Sequence, residues 1–133
     1  MIKPQGIDHI VLRTEQYQDL IDFYCGVLGC KLELSKDNLG LAHLRAGNAL
    51  IDIVDVNGKL GKLGGGSPDK LGNNVDHFCV QIAPRDEQEL QDYLKNCGVQ
   101  CGEFQDRYGA QGMGRSIYIK DLVGNNVELR FKV

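Results

Sequence analysis

The chain has 133 residues, 42% of them hydrophobic, and its 15 Lys and Arg against 18 Asp and Glu leave a formal net charge of −3. That length can bury one substantial core, while the mixed, slightly acidic charge supplies no basic field for nucleic acid. No apolar run approaches the ~20 residues of a membrane span, and residues 1–6 carry no signal-peptide core, so a soluble cytoplasmic protein with no membrane partner is expected.

The first element is Ile7-Asp8-His9-Ile10-Val11-Leu12, a strand whose alternation puts Ile10 and Leu12 on a core face and His9, Val11 and Arg13 on the other. Leu20, Phe23, Tyr24, Val27 and Leu28 then recur at helical spacing, and Gly29 closes the helix. Residues 31–35 and 41–45 read as strands separated by Asn38-Leu39-Gly40. Ala46-Gly47-Asn48 turns the chain into Ala49-Leu50-Ile51-Asp52-Ile53-Val54. Asp52 interrupts an apolar strand and requires a partner: a buried cation, an edge position open to water, or a metal ion.

Residues 55–74 are irregular and glycine-rich, and they read as a flexible connection that closes over a site or crosses to another subunit. Gly58-Lys59-Leu60-Gly61-Lys62 is not a phosphate loop, because the glycine spacing and the Lys-Ser/Thr pair are missing.

The opening pattern then returns. Val75-Asp76-His77-Phe78-Cys79-Val80-Gln81-Ile82 alternates with Phe78, Val80 and Ile82 inward and His77, Cys79 and Gln81 outward. A capping box at Asp86 and Glu89 opens a helix with Leu90, Tyr93, Leu94 and Cys97 on one face, closed by Gly98. A strand is expected over 99–104 and a mobile loop over 106–115, the latter carrying Arg107, Tyr108 and Arg115. Further strands follow at 116–120 and 127–131, with Val127, Leu129 and Phe131 inward and Glu128 on the histidine side.

The intervals His9 to Gly29 and His77 to Gly98 are nearly equal, which marks an internal duplication. One domain is expected over 1–133, with module one at about 5–56, a linker at about 57–73 and module two at about 74–133. Each module supplies a histidine on its first strand and a carboxylate on its last: His9 with Asp52, and His77 with Glu128. Two imidazoles and two carboxylates suit a borderline divalent metal with open positions, the identity among Zn, Ni, Mn, Fe and Co being undetermined. His43 has no evident counterpart in the second module and reads as a surface residue or a support for the site. Arg13 either binds a substrate anion or neutralises a carboxylate such as Asp52. The five cysteines lack metal-finger spacing and read as reduced, mostly buried thiols.

The duplicated strand-helix-strand-strand-strand pattern, the Phe23-Tyr24-Cys25-Gly26-Val27-Leu28-Gly29 helix end and the Asn125-Asn126-Val127-Glu128-Leu129 strand resemble the vicinal oxygen chelate superfamily. That superfamily includes glyoxalase I, fosfomycin-resistance proteins, extradiol dioxygenases and bleomycin-resistance proteins. The resemblance implies an α+β fold of two βαβββ modules forming one curved, cupped mixed β-sheet with helices outside and a metal in the cup. His9, His77 and Glu128 match the family's ligands, and Asp52 stands where glyoxalase I has a glutamate ligand.

The implied activity is that of a metal-dependent glyoxalase-like lyase or isomerase. It would act on a small oxygen-rich substrate through a chelated enediolate-like intermediate, with Glu128 as the catalytic base. Arg13, Arg107, Tyr108, Arg115 and Tyr118 are the expected substrate contacts, and a homodimer is expected because two modules leave sheet edges to be covered. The alternatives are a non-enzymatic small-molecule binder of the bleomycin-resistance type and a fosfomycin-resistance-like transferase.

Overall fold

A computed structural model describes all residues, 1–133. The protein is α+β and carries the expected duplication as two βαβββ units, 1–74 and 75–133. Hydrogen bonding divides the eight strands into two sheets of four, one in each unit. No helix is long and apolar enough to cross a membrane.

The first unit runs β1 (His9–Thr14), α1 (Tyr17–Gly26), β2 (Lys31–Lys36), β3 (Leu41–Ala46) and β4 (Ala49–Asp55), with sheet order β1-β4-β3-β2. β4 returns parallel to β1, pairing Val11 with Asp52, while β3 is antiparallel to β4 and pairs His43 with Asp52. Strand alternation therefore sorts the side chains into two sets. Leu12, Ala42, Leu44, Ile51 and Ile53 form the core face, where Leu20, Ile21 and Tyr24 of α1 are also buried. His9, Val11, Arg13, His43 and Asp52 take the opposite face.

Residues 57–74 belong to this unit and are anchored to it. Gly61–Gly64 forms a 3-10 turn, and the Asn74 side chain exchanges two hydrogen bonds with the Arg13 backbone. Arg13 holds the segment from the other side, its guanidinium donating to the carbonyls of Gly61, Gly65 and Gly66.

The second unit repeats the plan with β5 (Phe78–Ile82), α2 (Glu87–Asn96), β6 (Gln105–Gly109), β7 (Gly112–Lys120) and β8 (Asn126–Phe131). The order β5-β8-β7-β6 is that of the first sheet, with β5 parallel to β8. The N-cap half of the expected capping box is present, Asp86 Oδ1 accepting from the Glu89 amide at 3.0 Å. Ile117, Ile119, Val127 and Leu129 supply the sheet's buried face, and Leu90 and Leu94 of α2 are buried.

Two expectations fail here. Residues 99–104 form only the isolated bridge of Cys101 to Ile119, and 106–115 is a hairpin, not a loop. The glycines that suggested mobility serve close packing: a Cβ on Gly109 or Gly114 would lie within 2.8 Å of the Arg130 guanidinium. Arg130 is 3% exposed and donates to the carbonyls of Arg107 and Gly112, clasping the hairpin across the sheet. The cysteines are also less buried than expected. All five are free thiols, but only Cys30 is buried, while Cys79 and Cys97 are exposed.

Candidate functional site

In the second unit, β-sheet register brings His77, Cys79, Tyr118 and Glu128 to one face. Glu128 lies on β8 between Cys79 on β5 and Tyr118 on β7, and its residue is 7% exposed. His77 precedes β5 and points its Nε2 to within 3.7 Å of Glu128 Oε1 and 3.1 Å of the Tyr118 hydroxyl. Its other nitrogen, Nδ1, lies 2.6 Å from Asp76 Oδ2. An ionised carboxylate only accepts, so Nδ1 carries the proton; in the neutral ring Nε2 then holds the lone pair and accepts from the tyrosine O–H.

Burial, reinforced by Glu128, raises the Tyr118 hydroxyl pKa above its ordinary value and keeps it a donor. Cys79 is exposed as a residue, yet burial of its thiol together with Glu128 pushes that group up to about 11. A neutral thiol is a poor nucleophile.

The first unit has the same register. Asp52, 4% exposed, faces Val11 on β1 as Glu128 faces Cys79 on β5, and His43 on β3 stands where Tyr118 stands on β7. His43 thus has a counterpart that residue type concealed. The partner that Asp52 requires is His43, whose Nδ1 lies 2.9 Å from Asp52 Oδ1. His9 repeats the His77 arrangement, with Nδ1 2.6 Å from Asp8 Oδ1, and this contact raises its pKa, with Asp52 adding a smaller effect.

The expected substrate residues separate by face. Arg107 shares the Glu128 face, its Cζ 4.7 Å from the Tyr118 ring centre and its Nε buried without a partner. Tyr108 and Arg115 pair with Met113 and Asp106 one register step away and so lie on the opposite face. Arg115 there binds Glu87 at the start of α2 at 2.6 Å, and Tyr108 is 83% exposed. Their placement follows from the hairpin: in a strand, neighbours alternate faces, whereas a loop imposes no such parity. Arg13 shares the His9 face, but its guanidinium is engaged by three loop carbonyls.

The model of the Glyoxalase/Bleomycin resistance protein/Dioxygenase superfamily matches residues 6–129, nearly the whole of both units. The chain belongs to this superfamily. Comparison with curated proteins gives no significant match. Among solved structures, an integron cassette protein from V. cholerae is 24% identical with a TM-score of 0.77, covering 100% of this chain and 99% of that one. A lactoylglutathione lyase from Agrobacterium tumefaciens is 18% identical with a TM-score of 0.69, covering 96% and 94%. A fosfomycin resistance protein from Mesorhizobium loti is 14% identical with a TM-score of 0.67, covering 98% and 95%. At these identities the likeness is one of fold, on which many chemistries are built.

Members of the superfamily commonly use divalent metals, and the His77–Glu128 pair fits one. Two ligands with bonds of about 2.1 Å to a shared ion stand roughly 3–3.5 Å apart, close to the 3.7 Å between His77 Nε2 and Glu128 Oε1. A carboxylate on the far ring nitrogen is the usual companion of a metal-binding imidazole. In neither unit do three His, Cys, Asp or Glu side chains converge as a complete metal site. Asp52 fits less directly than Glu128, because one of its oxygens is engaged by His43.

Proposed function

We propose that this protein is a metal-dependent lyase or isomerase of the glyoxalase type, acting on a small oxygen-rich substrate. The observation that carries the reading is the duplicated register: in each unit a histidine with its Nδ1 on a carboxylate shares a sheet face with a buried acid from the last strand. His9, His77 and Glu128 are the ligands in this proposal, and Asp52 completes the set or supports it through His43.

A divalent ion held there supplies Lewis-acid polarisation of two adjacent substrate oxygens. Glu128 takes the proton from the carbon beside those oxygens and returns it. Its near-complete burial shields the carboxylate from water, and the flanking Tyr118 hydroxyl supplies a proton donor beside it. Arg107 contacts the substrate from the same face, its Nε being without a partner while its Nη2 donates to Gln105 Oε1. The protein acts as a cytoplasmic homodimer, which light scattering over a wide concentration range tests directly.

The function is tested by elemental analysis of the purified protein, chelation, and reloading with Zn, Ni, Mn, Fe or Co individually against a panel of hemithioacetals. Turnover that disappears on chelation and returns with one ion is the expected result. Stoichiometric binding of a small molecule with no bound metal would overturn it in favour of a sequestering protein.

A further inference from the structure

All three histidines of the chain place Nδ1 against a carboxylate, but the three contacts differ in kind. His43 meets a buried acid, and removing the histidine would leave the Asp52 carboxylate without this partner. His9 and His77 meet exposed acids, the Asp8 and Asp76 side chains being 90% and 95% accessible. Exposed pairs of this sort contribute little to folding, because water screens the charges and ordering the side chains costs entropy. Fold stability therefore gives no reason for the same short contact, 2.6 Å in both cases, to stand at the equivalent position of both units.

The consequence lies at the other end of each ring. A carboxylate on Nδ1 fixes the proton there and leaves Nε2 as the lone-pair nitrogen. In the second unit that Nε2 is the atom facing Glu128 Oε1 and the Tyr118 hydroxyl. A free neutral histidine side chain favours the opposite tautomer, with the proton on Nε2, which would present N–H to a cation. An aspartate immediately before the histidine also restrains ring rotation, because the contact spans a single peptide unit.

We infer that Asp8 and Asp76 are positioning residues that set the tautomer and orientation of His9 and His77 so that each offers Nε2 to a divalent cation. This rests on the metal reading above and adds to it two residues that touch neither ion nor substrate. Each aspartate accepts the Nδ1 proton, holds the ring in its acceptor form and raises the basicity of the ligating nitrogen.

The test uses full-length wild type, Asp8→Ala, Asp76→Ala, Asp76→Asn and His77→Ala. Long-range nitrogen–proton NMR of the metal-free proteins, at a pH where the imidazoles are neutral, reads the tautomers. Calorimetric titration with Zn²⁺ reads affinity. Wild type is expected to show Nδ1–H on His9 and His77. Each alanine variant should move its own histidine toward Nε2–H and weaken Zn²⁺ binding on the order of 10- to 100-fold. Asp76→Asn, which keeps an acceptor oxygen but loses the charge, should retain the tautomer and recover part of the affinity.

Unchanged tautomers in the alanine variants would overturn the inference while leaving the metal site standing, as would unchanged Zn²⁺ affinity in variants whose tautomers do shift. Failure of the underlying reading looks different. Wild type would then bind no Zn²⁺, or His77→Ala would bind it as tightly as wild type, and the positioning role would fall with the site.

Discussion

His43 Nδ1 and Asp52 Oδ1 lie 2.9 Å apart across β3 and β4, and the Asp52 carboxylate is almost wholly buried. His43→Ala would strip Asp52 of this partner and should cost about 1–3 kcal/mol of stability, read by urea denaturation. Replacing both residues by leucine removes the unsatisfied group as well. The double variant should be more stable than the sum of the single changes implies. Strict additivity would show that the two side chains do not depend on each other.

Glu128 and Asp52 occupy equivalent registers, yet their predicted roles differ. Glu128→Gln keeps the shape but loses the basic oxygen, so turnover should fall by about 10²- to 10⁴-fold with little change in KM. Asp52→Asn should instead weaken metal retention, with activity recovered when excess metal is supplied. Full turnover by metal-loaded Glu128→Gln would pass the base role to Asp52, Tyr118 or a bound hydroxide.

Arg130 lies in a cradle that glycine makes possible. A Cβ at Gly114 would stand 2.7 Å from its Nη2, and the guanidinium cannot swing away without breaking its bonds to the Arg107 and Gly112 carbonyls. Gly114→Ala should destabilise the protein by about 1–3 kcal/mol. In an Arg130→Met background the same change should cost much less. Equal penalties in the two backgrounds, by thermal denaturation, would show that the clash is not with Arg130.

The Cys79 thiol, pushed up from 9.0 to about 11, favours its neutral form in the folded protein. Its contribution to stability is fully present below pH 9 and is lost as pH rises toward 11, because the unfolded thiol ionises first. Iodoacetamide at pH 8 should label Cys79 slowly despite its exposure, and labelling should accelerate only as pH approaches 11. Mass spectrometry of the modified peptides reads both. Rapid labelling at pH 8 would contradict a thiol held neutral by burial and Glu128.

The duplication, the strand that starts at or just after each histidine and the acid on the histidine face of each last strand were legible in the sequence, because period-two alternation and helical spacing are local properties of the chain. The Asp86 cap and the glycines that close the helices were legible for the same reason, and Gly29 and Gly98 do adopt positive φ. The repeated Asp-His dipeptide was also in plain view, though its meaning needed the 2.6 Å contacts.

Partner choice across strands was not legible, since it depends on register between segments far apart in sequence. Only the structure could align His43 with Tyr118, give Asp52 its histidine and turn the glycine-rich run at 106–115 into a hairpin. The same tertiary pairing put Tyr108 and Arg115 on the face away from Glu128 and committed Arg13 to the carbonyls of its own glycine-rich segment. A sequence states which residues can carry charge or a lone pair; folding decides which of those groups are already engaged.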